Sequence, residues 1–127
     1  MLAPEHRLRS SALFSTVVKK GARKGSRTVV VHLWTPEPGP DAPLELTGGP
    51  RAGLIVSKAV CNAVVRHAVS RKLRAVLATI IDDDATAASP QLQETSFVVV
   101  RALPASAKAS SQELESDVRR CLSRLSR

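Results

Sequence analysis

The sequence predicts an α+β fold, in which helices pack on a single mixed β-sheet. Three segments carry apolar residues at helical spacing, and three runs rich in β-branched residues lie between them. The predicted order is α, β, β, α, β, α, with room for one further short strand within 36–50. Such a mixed order favours an α+β sandwich. The length, 127 residues, suits one domain spanning 1–127.

The first half of the chain contains one helix and one strand. A helix is predicted over 11–20, where Gly21 provides a C-terminal stop. Residues 23–25 are interpreted as a basic turn, and the apolar run 28–34 as a strand. The proline-rich segment 36–50 is predicted to be a flexible loop, because proline lacks the N–H that a sheet requires. The apolar face of the helix predicted over 11–20 consists of Leu13, Phe14, Val17 and Val18.

The second half continues with a strand at 51–57, a long helix at 62–81 and a strand at 96–102. General handedness rules make this β-α-β crossover right-handed. Asp82–Asp84 are expected to end the long helix, which frays there because acids oppose the helix dipole. Ser110 and Glu113 form a capping box that begins a final helix. The apolar stripe of the long helix consists of Val65, Val69, Leu73, Val76, Leu77 and Ile80.

The charge distribution points to a polyanionic partner. The chain carries 19 Lys and Arg against 11 Asp and Glu, a formal charge of +8. Residues 1–35 carry seven basic residues and one acid, and residues 51–81 carry six and none, so each block is net +6. An acidic insert of net −3 separates them at 36–50. Such blocks favour a nucleic-acid surface, although a solvated basic helix face would give the same pattern.

Several classes of protein are excluded or disfavoured. No apolar run reaches the roughly 18–20 residues of a membrane span, and the N-terminus lacks the apolar core of a signal peptide. The two cysteines cannot form a disulfide framework, so a reduced, cytoplasmic setting is expected. Cys121 falls on a core stripe, whereas Cys61, near a helix start, is either reactive or simply small. No catalytic triad, zinc motif or P-loop is present.

The long helix combines a buried stripe with an adjacent basic face. Side chains at 67, 71 and 74 project on one side, Arg66 lies between them and the apolar stripe, and the helix entrance carries Lys58 and Asn62. Guanidinium groups suit phosphate because their fork binds two oxygens at once.

The run over 57–74, SKAVCNAVVRHAVSRKLR, strongly resembles the signature S-K-K-V-G-N-A-V-x-R-N-R-x-K-R-x-(L/I)-R of the bacterial ribonuclease P protein family. The flanking segments are similar as well. Arg7-Leu8-Arg9 with Phe14 and Gly21 resembles the family's opening, and the strand over 51–57 resembles its R-x-G-(L/F)-x-V-S strand.

The resemblance implies an α-β-β-β-α-β-α domain with a left-handed β-α-β crossover, like the second domain of ribosomal protein S5. The general handedness rule would then fail at this crossover. It also implies a protein subunit that assists a catalytic RNA in removing the 5′ leader of precursor tRNA. Hydrolysis would be performed by the RNA with Mg²⁺ held mainly by the RNA and the substrate. The implied assembly is one protein monomer per RNA, without a membrane.

Site residues follow from the matching positions. Those implied to bind the RNA subunit are Lys58, Asn62, Arg66, His67, Arg71 and Arg74. Those implied to line the leader cleft are Arg7, Arg9, Phe14, Val17 and His32. Phe14 suits either base stacking or the core. His32 stands where the family often has Tyr, and would stack or donate a hydrogen bond.

Four positions depart from the signature. His67 replaces Asn, Ala68 replaces Arg, Ser70 replaces Lys and Cys61 replaces Gly. The loss of two positive charges predicts weaker or more salt-sensitive assembly with RNA, for which the basic residues Arg23, Lys24 and Arg27 offer compensation.

Two alternative functions stay open at this point. One is a structural RNA-binding protein associated with the ribosome. The other is an autonomous nuclease with a metal site at Asp82–Asp84, although three consecutive residues point in different directions and a solvated turn is the simpler interpretation.

Overall fold

The computed structural model describes residues 7–8, 11–35, 50–57, 60, 62–85, 92 and 96–125. The predicted loop at 36–50, apart from Pro50, lies outside this part of the chain, so its flexibility and its proposed extra strand stay predictions. The helices are α1 (Ser11–Lys20), α2 (Ala63–Ala85) and α3 (Ser111–Leu125), and a 3₁₀ helix spans Pro104–Lys108. The strands are β1 (Ala22–Gly25), β2 (Val29–Trp34), β3 (Arg51–Ile55) and β4 (Phe97–Ala102).

The strands form one mixed sheet in the order β1-β2-β4-β3. β1 with β2 and β2 with β4 are antiparallel, whereas β3 and β4 are parallel and are joined through α2. The predicted β-α-β unit is therefore confirmed, as is the α+β class. Leu8 extends the β3 edge by donating its N–H to the carbonyl of Ala52 at 2.9 Å.

Helices cover both faces of the sheet. On one face, α1 contributes Val17 to a cluster with Leu8, Phe97 and Val99. On the other, the buried stripe of α2 and the apolar side of α3 pack on alternate residues of β2 and β4, which form the larger cluster. Because β4 is central and covered on both faces, the run Phe97–Val100 is apolar throughout instead of alternating.

One predicted turn is wrong, because residues 22–25 form the edge strand β1. This strand pairs with β2 in the register Ala22↔Leu33 through Gly25↔Val30. Its side chains are mostly exposed, so the pairing depends on backbone hydrogen bonds and leaves no apolar periodicity in the sequence. With β1 included, the element order α-β-β-β-α-β-α agrees with the resemblance.

The prediction that α2 ends at Asp82–Asp84 is also wrong, because the helix continues to Ala85. Two tertiary contacts offset the unfavourable helix dipole. The carboxylate of Asp83 accepts a hydrogen bond from Arg119 of α3 at 2.7 Å, and that of Asp84 accepts one from the backbone N–H of Leu92 at 3.0 Å. At α3, the predicted capping box is confirmed, since the N–H of Glu113 donates to Ser110 Oγ at 3.2 Å.

Candidate nucleic-acid interface

The outer side of α2 is a basic surface, which we call the α2 face and define as His67, Arg71 and Arg74. All three side chains are exposed, and none forms an ion pair with another described residue. The buried stripe Val69, Leu73, Val76, Leu77 and Ile80 orients the helix so that this face points away from the sheet. The uncompensated positive charge makes the α2 face suited to phosphate groups.

Two further residues that the resemblance implies to bind RNA, Asn62 and Arg66, have defined structural surroundings. Asn62 caps α2, because its Oδ1 accepts a hydrogen bond from the backbone N–H of Val65 at 3.0 Å. Arg66 is half-buried, and its Nε is buried without a hydrogen-bond partner among the described residues. Arg66 thus places an unsatisfied donor beside the α2 face, and such a buried, unpaired N–H lowers the stability of the fold.

A depression of about 290 Å³ at the β3 edge brings together residues from three parts of the chain. Arg7 comes from the N-terminal segment, Phe14 from α1 and Arg74 from α2. The floor includes Gly53, whose lack of a side chain leaves room for the Phe14 ring. Phe14 is half-buried, so the ring both packs against the core and borders the depression. This depression joins residues implied to bind the leader with one implied to bind the RNA subunit.

His32 lies on the α1 side of the sheet but is not a surface residue. It is only 3% exposed, and its Nδ1 has no hydrogen-bond partner among the described residues. Burial, with the positive charges of Arg23 and Arg101, holds the pKa of His32 below its usual value of 6.5. Arg23 is paired with His32 in the sheet register and is exposed, as is Arg101. The two arginines, which the sequence did not single out for the cleft, therefore add exposed positive charge on the α1 side of the sheet.

The implied placement of Val17 in the leader cleft needs correction. Val17 is fully buried against the sheet, in the cluster with Phe97 and Val99, so it supports α1 from within the core and offers no surface to a ligand. Phe97 is buried as well and stacks with Trp34 at a centroid distance of 5.7 Å. Phe14 and Trp34 are thus the partly exposed aromatic rings among the described residues. Lys58, Arg9 and Cys61 lie outside that part of the chain.

The described residues contain no group of three His, Cys, Asp or Glu side chains that would hold a metal ion. Asp83 and Asp84 are each engaged in the tertiary contacts that extend α2, and therefore do not converge on a shared site. Cys121 is buried in the core, where burial raises the pKa of its thiol. Within the same residues, no helix combines the length and apolarity that crossing a membrane requires.

A basic helix face and a neighbouring aromatic depression on an α+β sheet are features that suit an RNA-binding domain. A family model described as Ribonuclease P matches residues 2–126, so the chain belongs to the ribonuclease P protein family. It is similar to the ribonuclease P protein component of Corynebacterium urealyticum, with 95% identity and full coverage of both chains. That of Rhodococcus opacus is 42% identical, with 98% of this chain and 92% of the relative covered.

Solved structures show the same fold at low sequence identity. The Staphylococcus aureus RNase P protein matches with a TM-score of 0.69 and 19% identity, covering 93% of each chain. The Thermotoga maritima protein matches with a TM-score of 0.65 and 17% identity, covering 93% of this chain and 96% of that one. The family membership establishes a role in the tRNA-processing endoribonuclease, in the removal of the 5′ leader, with the ribonuclease P RNA and precursor tRNA as partners.

Proposed function

We propose that this chain binds two RNA partners through two adjoining surfaces. The α2 face docks on the ribonuclease P RNA, and the depression at the β3 edge receives the 5′ leader of precursor tRNA. The observation that carries this proposal is the position of Arg74, which belongs to the α2 face and also lines the depression with Arg7 and Phe14. A leader held there lies next to the RNA subunit that cleaves it.

The docking role of the α2 face is supported by its charge. Segment 51–81 contains no acidic residue, so the arginines of α2 have no carboxylate within one helical turn along that helix. Each phosphate contact that such a residue makes releases counterions and steepens the salt dependence of binding. Arg66, which is half-buried beside this face, would extend the surface with a further guanidinium group. We include Lys58, which stands before α2, on the strength of the sequence resemblance.

The leader role is supported by the half-exposed ring of Phe14. A base stacked on this ring would gain about 1–3 kcal/mol, while Arg7 and Arg74 would face its phosphates. Arg23 and Arg101 supply further positive charge on the α1 side of the sheet. Because Phe97 is buried and Trp34 stacks on it, we expect charge to contribute more than stacking beyond the first base.

In this proposal the protein positions RNA and the RNA performs the hydrolysis. On the strength of the family resemblance, we assign Mg²⁺ to the RNA subunit and the substrate. When bound there, Mg²⁺ would activate water and stabilise charge on the phosphate. The proposal also includes one protein monomer per RNA, a cytoplasmic location and a left-handed crossover through α2, as in the second domain of ribosomal protein S5.

Reconstitution tests the proposal. We expect the full-length protein to restore precursor-tRNA cleavage by its cognate RNA subunit at a low Mg²⁺ concentration that does not support the RNA alone. The Arg71→Ala variant should require more protein for the same rate, whereas Lys108→Ala, which changes an exposed charge on the 3₁₀ helix, should not. Co-sedimentation with ribosomes without rescue of cleavage would instead support a structural ribosomal role. Cleavage by RNA-free protein would contradict the proposal.

A further inference from the structure

A second basic concavity lies between α3 and the β1–β2 hairpin. It has a volume of about 380 Å³, and we call it the α3 groove. Cys121 of the core is among its lining residues. Its charged lining residues are Lys24, Arg27, Asp117, Arg120 and Arg124.

The α3 groove carries positive charge beyond its internal pairs. Arg27 is neutralised by Glu113, at 2.6 Å, and Asp117 accepts a hydrogen bond from the buried hydroxyl of Thr28 at 2.5 Å. By contrast, Lys24, Arg120 and Arg124 form no ion pair with another described residue. The carboxylate of Asp117 therefore faces three cations that no other carboxylate of the described residues pairs with, and the groove favours an anion.

The sheet register separates this groove from the leader site. Lys24 is paired with Val31, which belongs to the core cluster under α2 and α3, whereas its neighbour Arg23 is paired with His32 on the α1 side. Arg120 and Arg124 lie one helical turn apart on α3, so their side chains are neighbours. A second depression, of about 470 Å³, shares Arg27 and Arg120 with the groove and continues it along α3. This second depression also contains Glu113 and Asp117, which balance its two arginines, so the excess positive charge lies in the α3 groove itself.

We propose that the α3 groove binds backbone phosphates of the ribonuclease P RNA, as a contact separate from the α2 face. This inference rests on the proposed function. The RNA subunit is favoured over the leader because α2 and α3 pack side by side on the same face of the sheet. The leader depression, in contrast, lies at the β3 edge, and β1 forms the opposite edge.

The test compares binding of full-length variants to the RNA subunit over a range of salt concentrations. We expect Arg120→Ala/Arg124→Ala to lower the slope of log K against log salt by about 1.4–1.8, at roughly 0.7–0.9 for each lost phosphate contact. Affinity near physiological salt should fall about ten-fold. The Arg120→Lys/Arg124→Lys variant retains both charges and should restore most of the slope. Thermal unfolding of each variant verifies that these exposed changes leave the fold intact.

The Lys19→Ala/Lys20→Ala variant is the matched control, because it removes the same charge from exposed positions at the end of α1. It should leave the affinity for the RNA subunit unchanged. An unchanged slope for Arg120→Ala/Arg124→Ala would overturn the inference, as would a defect confined to binding of precursor tRNA by the assembled holoenzyme. Arg71→Ala, measured in parallel, separates the two proposals, because its loss of affinity would show that the α2 face docks even when the α3 groove does not.

Discussion

The ring of Phe14 occupies the space that a side chain at Gly53 would fill. A Cβ atom built on Gly53 would lie 2.2 Å from Phe14 Cζ and 2.6 Å from its Cε1, which is far inside van der Waals contact. Strand β3 therefore packs against α1 in this way only because residue 53 has no side chain. The contact sets the height of the aromatic ring above the sheet and shapes the depression that we assign to the leader.

Gly53→Ala should displace the Phe14 ring and destabilise the protein by about 1–3 kcal/mol, the usual cost of overpacking. Chemical denaturation measures this change. Gly25→Ala is the matched control, because a Cβ there would meet only Val30 Cγ2 at an ordinary 3.8 Å. A Phe14→Ala change in the Gly53→Ala background should recover part of the loss. Equal stability of the two alanine variants would contradict the described packing.

Asn62 allows helix capping to be separated from RNA contact. Asn62→Ala removes the acceptor for the Val65 N–H and should cost about 1 kcal/mol of stability. Asn62→Asp keeps the acceptor and places a favourable charge at the helix N-terminus, so stability should be retained. The same carboxylate would repel RNA phosphates, and we expect weaker binding to the RNA subunit. If Asn62→Asp binds RNA as tightly as the wild type, Asn62 is only a cap.

The lowered pKa of His32 predicts that the folded protein loses stability on acidification. Because burial and the nearby arginines lower its pKa in the folded state, the unfolded chain takes up a proton at a pH where the folded chain does not. Stability should therefore fall as the pH drops below about 6.5 toward the lowered folded pKa. Urea denaturation at about pH 7.5 and 5.5 measures this effect. His32→Phe should reduce the difference between the two values, and an undiminished difference would show that other groups cause it.

The sequence predicted the elements whose apolar residues face the core. α1 was predicted with its observed bounds, and the stripe of α2 is buried as expected, with Val65 half-buried at its start. β1 was missed because an exposed edge strand held by backbone hydrogen bonds has no apolar pattern. The extension of α2 through Asp82–Asp84 was missed because it depends on Arg119, which is distant in sequence.

The sequence predicted which types of residue form the site, but it predicted less well which of them are exposed to solvent. Sequence spacing placed Arg71 and Arg74 correctly on the outside of α2. The family resemblance, which supplied the cleft residues, did not distinguish a residue that lines a cleft from one beneath it. Val17 and His32 were therefore assigned to a surface that they do not reach. The capping role of Asn62 carried a signal in the sequence, namely an asparagine directly before a helical pattern.

The central claim is that docking and leader binding use two surfaces that meet at Arg74, with Arg71 on the first and Phe14 on the second. One paired measurement tests this claim most directly. Dissociation constants would be measured for the RNA subunit and, with the assembled holoenzyme, for precursor tRNA against leaderless tRNA. We predict that Arg71→Ala weakens binding of the RNA subunit alone. Phe14→Ala should instead reduce the preference for the leader, by up to about 1–3 kcal/mol, with RNA-subunit affinity unchanged. Equal effects of both variants on both constants, or no effect of either, would contradict the account.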